Sequence, residues 1–232
     1  MRNLEIKNTD CHTALAMTKN AQSGRSMIEM LGVLAIIGVL SVGGIAGYSK
    51  AMMKYRINKT IEQITLIAGN VRAFWGPQKN YIGVYCGSSY VDGTCPASGC
   101  TGQSANDGCP IVKKAKIFPD EMITVTDGKI MSITNPFGYG GGLYVTNKAK
   151  SRDNQAFGIY YYGLPQEACI ELATHDWSNA GASIININDS YNSKTPADLD
   201  IATQYCSDEN EIWLYFDVDA NSTYWTDQLG ER

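Results

Sequence analysis

Histidine is close to absent: the chain of 232 residues has two, and outside the first 24 residues only His175 is left. A Ser-His-Asp or Cys-His site would have to be built on that imidazole, in the polar turn Thr174-His175-Asp176-Trp177, so no enzyme is read here. Basic residues are scarce from residue 60 onward, 11 against 20 acidic ones, and a net −9 argues against nucleic acid as a partner. The first four cysteines beyond the leader are spaced C-x8-C-x4-C-x8-C, with one C-x4-C and no second close pair to complete a site, which speaks against structural zinc. The triple glycine Gly140-Gly141-Gly142 is followed by no Lys-Ser/Thr, so it is no phosphate loop, and close backbone packing is its expected use. Charge itself is nearly missing from Met27 to Gly47, where Glu29 is the only charged residue in 21.

What fills that stretch is apolar. As a helix it extends roughly 31 Å, enough for a bilayer core of about 30 Å. Lys50, Lys54, Arg56 and Lys59 follow at once, so the run ends at a basic collar, and residues 25–59 carry +4. Glu29 lies two residues inside the run, where a carboxylate costs less than at the bilayer centre. One reading is a signal anchor with an acidic rim. The sharper one is that Glu29 meets a positive partner once the helix leaves lipid for a protein bundle. Gly32, Ala35, Gly38, Ser41, Gly43, Gly44, Ala46 and Gly47 line the same helix, and Gly43 and Gly47 form a G-x-x-x-G that lets helices approach closely.

Gly24, four residues, then Glu29 opening an apolar run of about 20 residues resembles the prepilin leader of type IV pilins and pseudopilins. The resemblance implies that a membrane peptidase cuts between Gly24 and Arg25 and methylates the new amino terminus. It also implies that Glu29 pairs with the amino terminus of a neighbouring subunit. The family usually begins with Phe, Met or Leu, and this chain has Arg25. Residues 1–24 are then a polar leader outside the fold. Residues 25–50 are the transmembrane and assembly half of the helix, and 51–232 the globular head. Ordinary secretion, with cleavage near Gly44-Ile45-Ala46, is the alternative.

Seven cysteines include Cys11 in the leader; the six that remain are Cys86, Cys95, Cys100, Cys109, Cys169 and Cys206. An even number in an exported chain reads as a disulfide framework made in an oxidising compartment. Three pairings of the first four are open.

Ile57, Ile61, Ile64, Ala68, Val71 and Trp75 mark one helical face, and Gly76-Pro77 stops it. The prediction is one helix of about 50 residues from Met27 to Trp75, greasy all round at first and then one-sided. Residues 78–115 read as a stapled loop. Ile123 to Thr134 reads as a hairpin about Asp127-Gly128, and strands are expected at 143–146, 156–162, 183–187 and 212–216. Helical segments are expected at 164–174 and 196–205. The tyrosines and tryptophans of 160–162 and 213–215 alternate within strands, so core is expected rather than a sugar platform. The fold class is α+β, a long N-terminal helix on an antiparallel sheet with a stapled C-terminal region.

That order resembles the type IVb pilins in particular. The matching residues are Asn135-Pro136-Phe137-Gly138, Pro165 to Cys169, and Cys206, and the resemblance implies that Cys169 and Cys206 close the C-terminal loop. It implies a structural subunit, major or minor, with identical or related pilin subunits, a prepilin peptidase and the inner membrane as partners. The location implied is the bacterial inner membrane before assembly, then an extracellular fimbrium. A pseudopilin of a secretion machine, or an anchored or secreted binding module that never polymerises, is the other reading. No cofactor is expected. Asp217, Asp219 and Asn221 have the opening spacing of a calcium loop, but Ser222 stands where glycine belongs and Gln228 where a bidentate glutamate belongs, so an acidic surface turn is expected and calcium is the alternative.

Overall fold

The computed structural model describes residues 27–84, 86–87, 110–126, 129–146, 148–149, 153–227 and 229. The leader with Gly24 and Arg25, the cysteines Cys95, Cys100 and Cys109, and the Asp127-Gly128 turn lie outside the described residues. Two compact units are present, one ending at Gly47 and one running from Tyr48 onward.

Helix α1 is Met27–Trp75. In the second unit it buries Ile57, Ile64, Ile67, Ala68, Val71 and Trp75. The stripe is therefore rotated slightly from the predicted one: Ile61 sits at its margin and Ile67 is fully covered. Thr60 joins the buried face because its hydroxyl donates to the Arg56 carbonyl at 2.8 Å, leaving no donor unmade. Beyond Trp75 the chain continues as a tight turn, Gly76–Gln78, and Lys79 takes the left-handed conformation, its N–H bonding the Gly76 carbonyl at 3.1 Å. Pro77 fits that turn because its fixed φ suits it and the missing N–H is an orphan there.

Strand β1 (Cys86–Gly87) is followed by α2 (Pro110–Lys114), where the sequence suggested only loop. Proline opening the first turn accounts for α2, and the adjoining Val112, Ile117 and Phe118 are buried in the main core. Then come β2 (Ile123–Thr126) and β3 (Lys129–Ile133), the predicted hairpin, as a separate two-stranded sheet. Next are β4 (Gly141–Thr146), β5 (Ala156–Leu164), α3 (Gln166–Thr174), β6 (Ala182–Ile187), β7 (Tyr191–Lys194), α4 (Leu199–Tyr205), β8 (Asn210–Phe216) and the short α5 (Thr223–Thr226).

The main sheet has six strands in the order β1-β4-β5-β8-β6-β7, every pair antiparallel. One face carries Phe157, Ile159, Tyr161, Ile212, Leu214 and Phe216 in the same buried cluster as the α1 stripe. The other face carries Tyr160 stacked on Trp213 at 4.5 Å, with Tyr144 edge-on to Trp213 at 5.0 Å. Tyr215 on that face meets Trp225 of α5 at 4.9 Å, so these aromatics pack on one another, Tyr160 and Trp225 buried and Tyr144, Trp213 and Tyr215 half-buried. Two glycines make this possible. A Cβ on Gly141 would lie 2.2 Å from the Tyr161 ring, and one on Gly158 would lie 2.1 Å from the Tyr144 ring. Strand β7 was not foreseen. Its Tyr-Asn-Ser-Lys sequence has no apolar alternation, and it pairs with β6 because Asn188 and Asp189 both adopt positive φ, 56° and 49°, in the turn between them.

Candidate assembly helix and the fastenings of the head

Within the first unit every described residue, 27–47, is exposed. The helix is long and apolar enough to cross a membrane, and none of its most apolar stretch is buried, which separates it from the core helix of a soluble domain. Ser41 donates its hydroxyl to the Ile37 carbonyl at 2.7 Å, the internal satisfaction a polar group needs in hydrocarbon. Glu29 stands exposed in the first turn, at the positive end of the helix dipole. A Cβ added to Gly32, Gly38, Gly43, Gly44 or Gly47 would meet nothing within 4 Å. Nothing inside the described chain requires glycine at those positions, although each lowers helix propensity by about 1 kcal/mol.

The head is fastened by three devices. The first joins the last turn of α1 to the end of β8. Arg72 holds Asp217 through Nε at 3.0 Å and Nη2 at 2.8 Å, and Nη2 also reaches the Gly181 carbonyl at 3.1 Å. Its Nη1 donates to the Ala180 carbonyl, and Tyr81 donates its hydroxyl to the second oxygen of Asp217. The guanidinium lies 5.8 and 5.6 Å from the centres of the Phe157 and Phe216 rings, which stack on each other. Burial, then the adjoining Asp217, holds the Tyr81 phenol well above its ordinary pKa. Arg72→Met would strand the Asp217 carboxylate beside two aromatic rings. Because both side chains keep 30% exposure, the expected loss is about 2 kcal/mol, between exposed and buried pairs. A thermal melt of the purified head should fall by roughly 4–8 °C, and Asp217→Asn in the same chain should restore about half. An unchanged melt would remove the pair from the fold's energetics.

The second device is the disulfide between Cys169 of α3 and Cys206 after α4, with Cα atoms 5.9 Å apart. Gln166 Nε2 donates to the Cys206 carbonyl at 3.1 Å, and buried Asn210 donates to the carbonyls of Leu164 and Ser207 at 2.9 and 2.7 Å. Outside this clasp, Lys54 of α1 holds the Glu171 carboxylate of α3 at 2.7 Å. The third device is the Asn-Pro-Phe-Gly turn. Buried Asn135 donates to the carbonyls of Gly140 and Tyr162 at 3.1 and 2.8 Å, and its Oδ1 accepts the Phe137 N–H at 2.9 Å.

Of the residues singled out from sequence, Glu29 is exposed on α1, Cys169 and Cys206 are bonded, and Cys86 lies in β1. Asp217 is taken by Arg72 and Tyr81, Asp219 accepts the Asn221 N–H at 3.1 Å, and Asn221 Oδ1 accepts from Lys194 Nζ at 2.8 Å. Among the described residues no three of His, Cys, Asp and Glu gather as a metal group would. The Asp176 carboxylate turns to the Ser178 N–H at 2.9 Å, which lowers its pKa, while His175 packs edge-on against Trp177. The Arg72–Asp217–Tyr81 fastening had no local signature, since its partners are 145 and 136 residues apart.

An apolar N-terminal helix continuing into an amphipathic half on an antiparallel sheet, with α3 and α4 clasped by a terminal disulfide, defines a type IV pilin-like protein. The chain matches the family model described as PilS N terminal over residues 54–217, and it belongs to that family. The family is one of structural subunits rather than enzymes, and its pilins assemble with related subunits into surface filaments. Among solved structures it is similar to a type IVb pilin from Salmonella typhi, at 18% identity and a TM-score of 0.46, with 69% of this chain and 99% of that one covered. It is also similar to TcpA, a type IV pilin from Vibrio cholerae El Tor biotype, at 15% identity and a TM-score of 0.44, covering 69% and 98%. No curated protein matches the chain.

Proposed function

We propose that this chain is an exported subunit of a type IV pilus-like filament, cut after Gly24 by a prepilin peptidase and polymerised through its N-terminal helix. The observation that carries the reading is the bare stretch 27–47. It is apolar, wholly exposed, and lined with glycines that its own chain does not use. Such a surface is stable in lipid, and its small residues allow a second helix to approach closely. The inner membrane holds the subunit before assembly, and transfer of the helix into a bundle of identical helices exchanges one apolar surrounding for another. Repeating the same heterologous contact gives an open helical polymer. Glu29 sets the register by meeting the amino terminus of the next subunit, and the acidic heads face outward. The clasp supports an oxidising compartment for the head.

The test is the mature amino terminus. Mass analysis of the protein from surface fibres should find the chain beginning at Arg25, its amino group free or singly methylated. A start near Gly47, or an intact Met1, would favour a secreted or anchored module that does not polymerise.

A further inference from the structure

We propose that Asn221 is an acceptor for N-linked glycan, donated as an oligosaccharide on a polyprenyl pyrophosphate carrier. The chain has three Asn-x-Ser/Thr triplets with no proline between, at Asn58, Asn188 and Asn221. The structure separates them. Asn58 lies within α1, and the Thr60 that completes its triplet is fully buried with its hydroxyl bonded to the Arg56 carbonyl. Asn188 has φ +56° and its side chain is fully committed: Nδ2 to the Tyr205 carbonyl at 2.7 Å and Asn210 at 2.9 Å, Oδ1 to the Glu211 N–H at 2.8 Å. Neither can enter a transferase without local unfolding.

Asn221 differs in every respect. It is exposed, at a turn between β8 and α5, and the Thr223 that completes its triplet is exposed as well. Its Oδ1 accepts from Lys194 Nζ, but among the described residues nothing holds its Nδ2, the nitrogen that would carry the sugar. The turn is preformed, with the Asn221 N–H on Asp219 Oδ1 at 3.1 Å and the Ser222 N–H on the Asp219 carbonyl at 3.0 Å. A turned, protruding asparagine costs a folded protein little backbone rearrangement on entering an enzyme groove. Asp219 supplies an exposed carboxylate two positions before the asparagine, giving Asp-Ala-Asn-Ser-Thr, a charge that a basic transferase groove would hold beside the triplet. Neither other triplet has it, since Arg56 and Asn186 stand at the equivalent positions.

In the reaction the Nδ2 nitrogen attacks the anomeric carbon of the carrier-linked sugar. The new carbon–nitrogen bond replaces the carbon–oxygen bond to pyrophosphate, which leaves with the polyprenyl chain, and one amide proton passes to a base of the transferase. No oxidant or reductant is needed. Glycan there would lie over Lys194 and β7, the last strand of the sheet, and would hinder its edge-to-edge association.

The inference rests on export of the head, and the experiment distinguishes the two. Protein taken from the cells that make it is reduced, digested with trypsin and analysed by mass spectrometry. Peptide 195–232 contains the Asn221 triplet, and the Asn188 triplet falls in a different peptide. A series of sugar masses on Asn221 is expected, abolished by Asn221→Gln and reduced at least tenfold by Asp219→Ala. Asn58→Gln and Asn188→Gln should change nothing. A bare Asn221 in chains that have lost their leader and hold an oxidised Cys169–Cys206 pair overturns the glycan while leaving export intact. Chains that keep the leader and reduced cysteines overturn export itself, and with it this inference. Occupancy unaffected by Asp219→Ala overturns the recognition of that carboxylate by the transferase.

Discussion

Joint replacement of Cys169 and Cys206 by serine should cost the head about 4 kcal/mol, the largest stability loss expected from any change to its fastenings. The estimate comes from loop closure: the bond joins residues 37 apart, and freeing a loop of that length returns about this much conformational entropy to the unfolded chain. Native domains are stable by only about 5–15 kcal/mol, so the loss brings the variant close to its threshold. Local structure points the same way. Both sulfurs are buried, Cys169 completely, and the bond holds α4 against α3 where Ala202, Leu172 and Ala173 fill the core. The serine hydroxyls would enter that apolar space, adding a desolvation cost. A parallel Cys→Ala pair separates the two effects, because it removes the bond without introducing hydroxyls. Urea denaturation followed by tryptophan fluorescence measures both, and Trp177, buried next to α3, is a suitable reporter. If the alanine pair unfolds within about 1 kcal/mol of the parent, the clasp is a bystander and the packing of α3 on β8 carries the region.

The helices around this clasp were largely legible in sequence, for physical reasons that also explain what was not, while its pairing was implied by the resemblance to type IVb pilins. The α1 stripe is visible because burial on one side imposes a period of 3.6 residues on apolar positions. The strands β4, β5, β6 and β8 are visible because they are rich in Ile, Tyr, Phe and Trp and bounded by turns. Strand β7 was invisible because it lies at the edge and contributes little to the core; its one sequence trace is the Asn188-Asp189-Ser190 turn before it. Arg72 looked like any solvent-facing helix residue. Its role arises only when β5 and β8 bring Phe157, Phe216 and Asp217 beneath it, an arrangement no spacing rule encodes. The same long-range capture explains Asp217: its spacing to Asp219 and Asn221 suggests a metal loop, but its carboxylate is committed to Arg72 and Tyr81 across the fold. Glu29 is the opposite case. Its significance is written wholly in sequence, as the one charge in an apolar run, and among the described residues nothing pairs with it.

That isolation makes Glu29→Ala the most consequential single substitution expected. In the free subunit the change is mild or favourable, since it removes a charge from the rim of an apolar segment. Membrane levels of the protein should therefore be unchanged or higher. In the proposed polymer the carboxylate is withdrawn from water against a neighbour's amino terminus, and deleting one member of such a pair leaves the other charge buried and uncompensated. That costs about 3–5 kcal/mol, or roughly a hundred- to several-thousand-fold in the equilibrium for adding each subunit. Because the contact recurs at every step, average fibre length falls steeply and surface fibres should disappear from electron micrographs. Glu29→Gln keeps the shape and loses the charge, so it should fail almost as badly; Glu29→Asp, which keeps the charge on a shorter stem, should assemble in part. Fibres of normal length and number from the alanine variant would show that the apolar contact alone fixes the stagger between subunits, and the proposed role of the carboxylate would have to be abandoned.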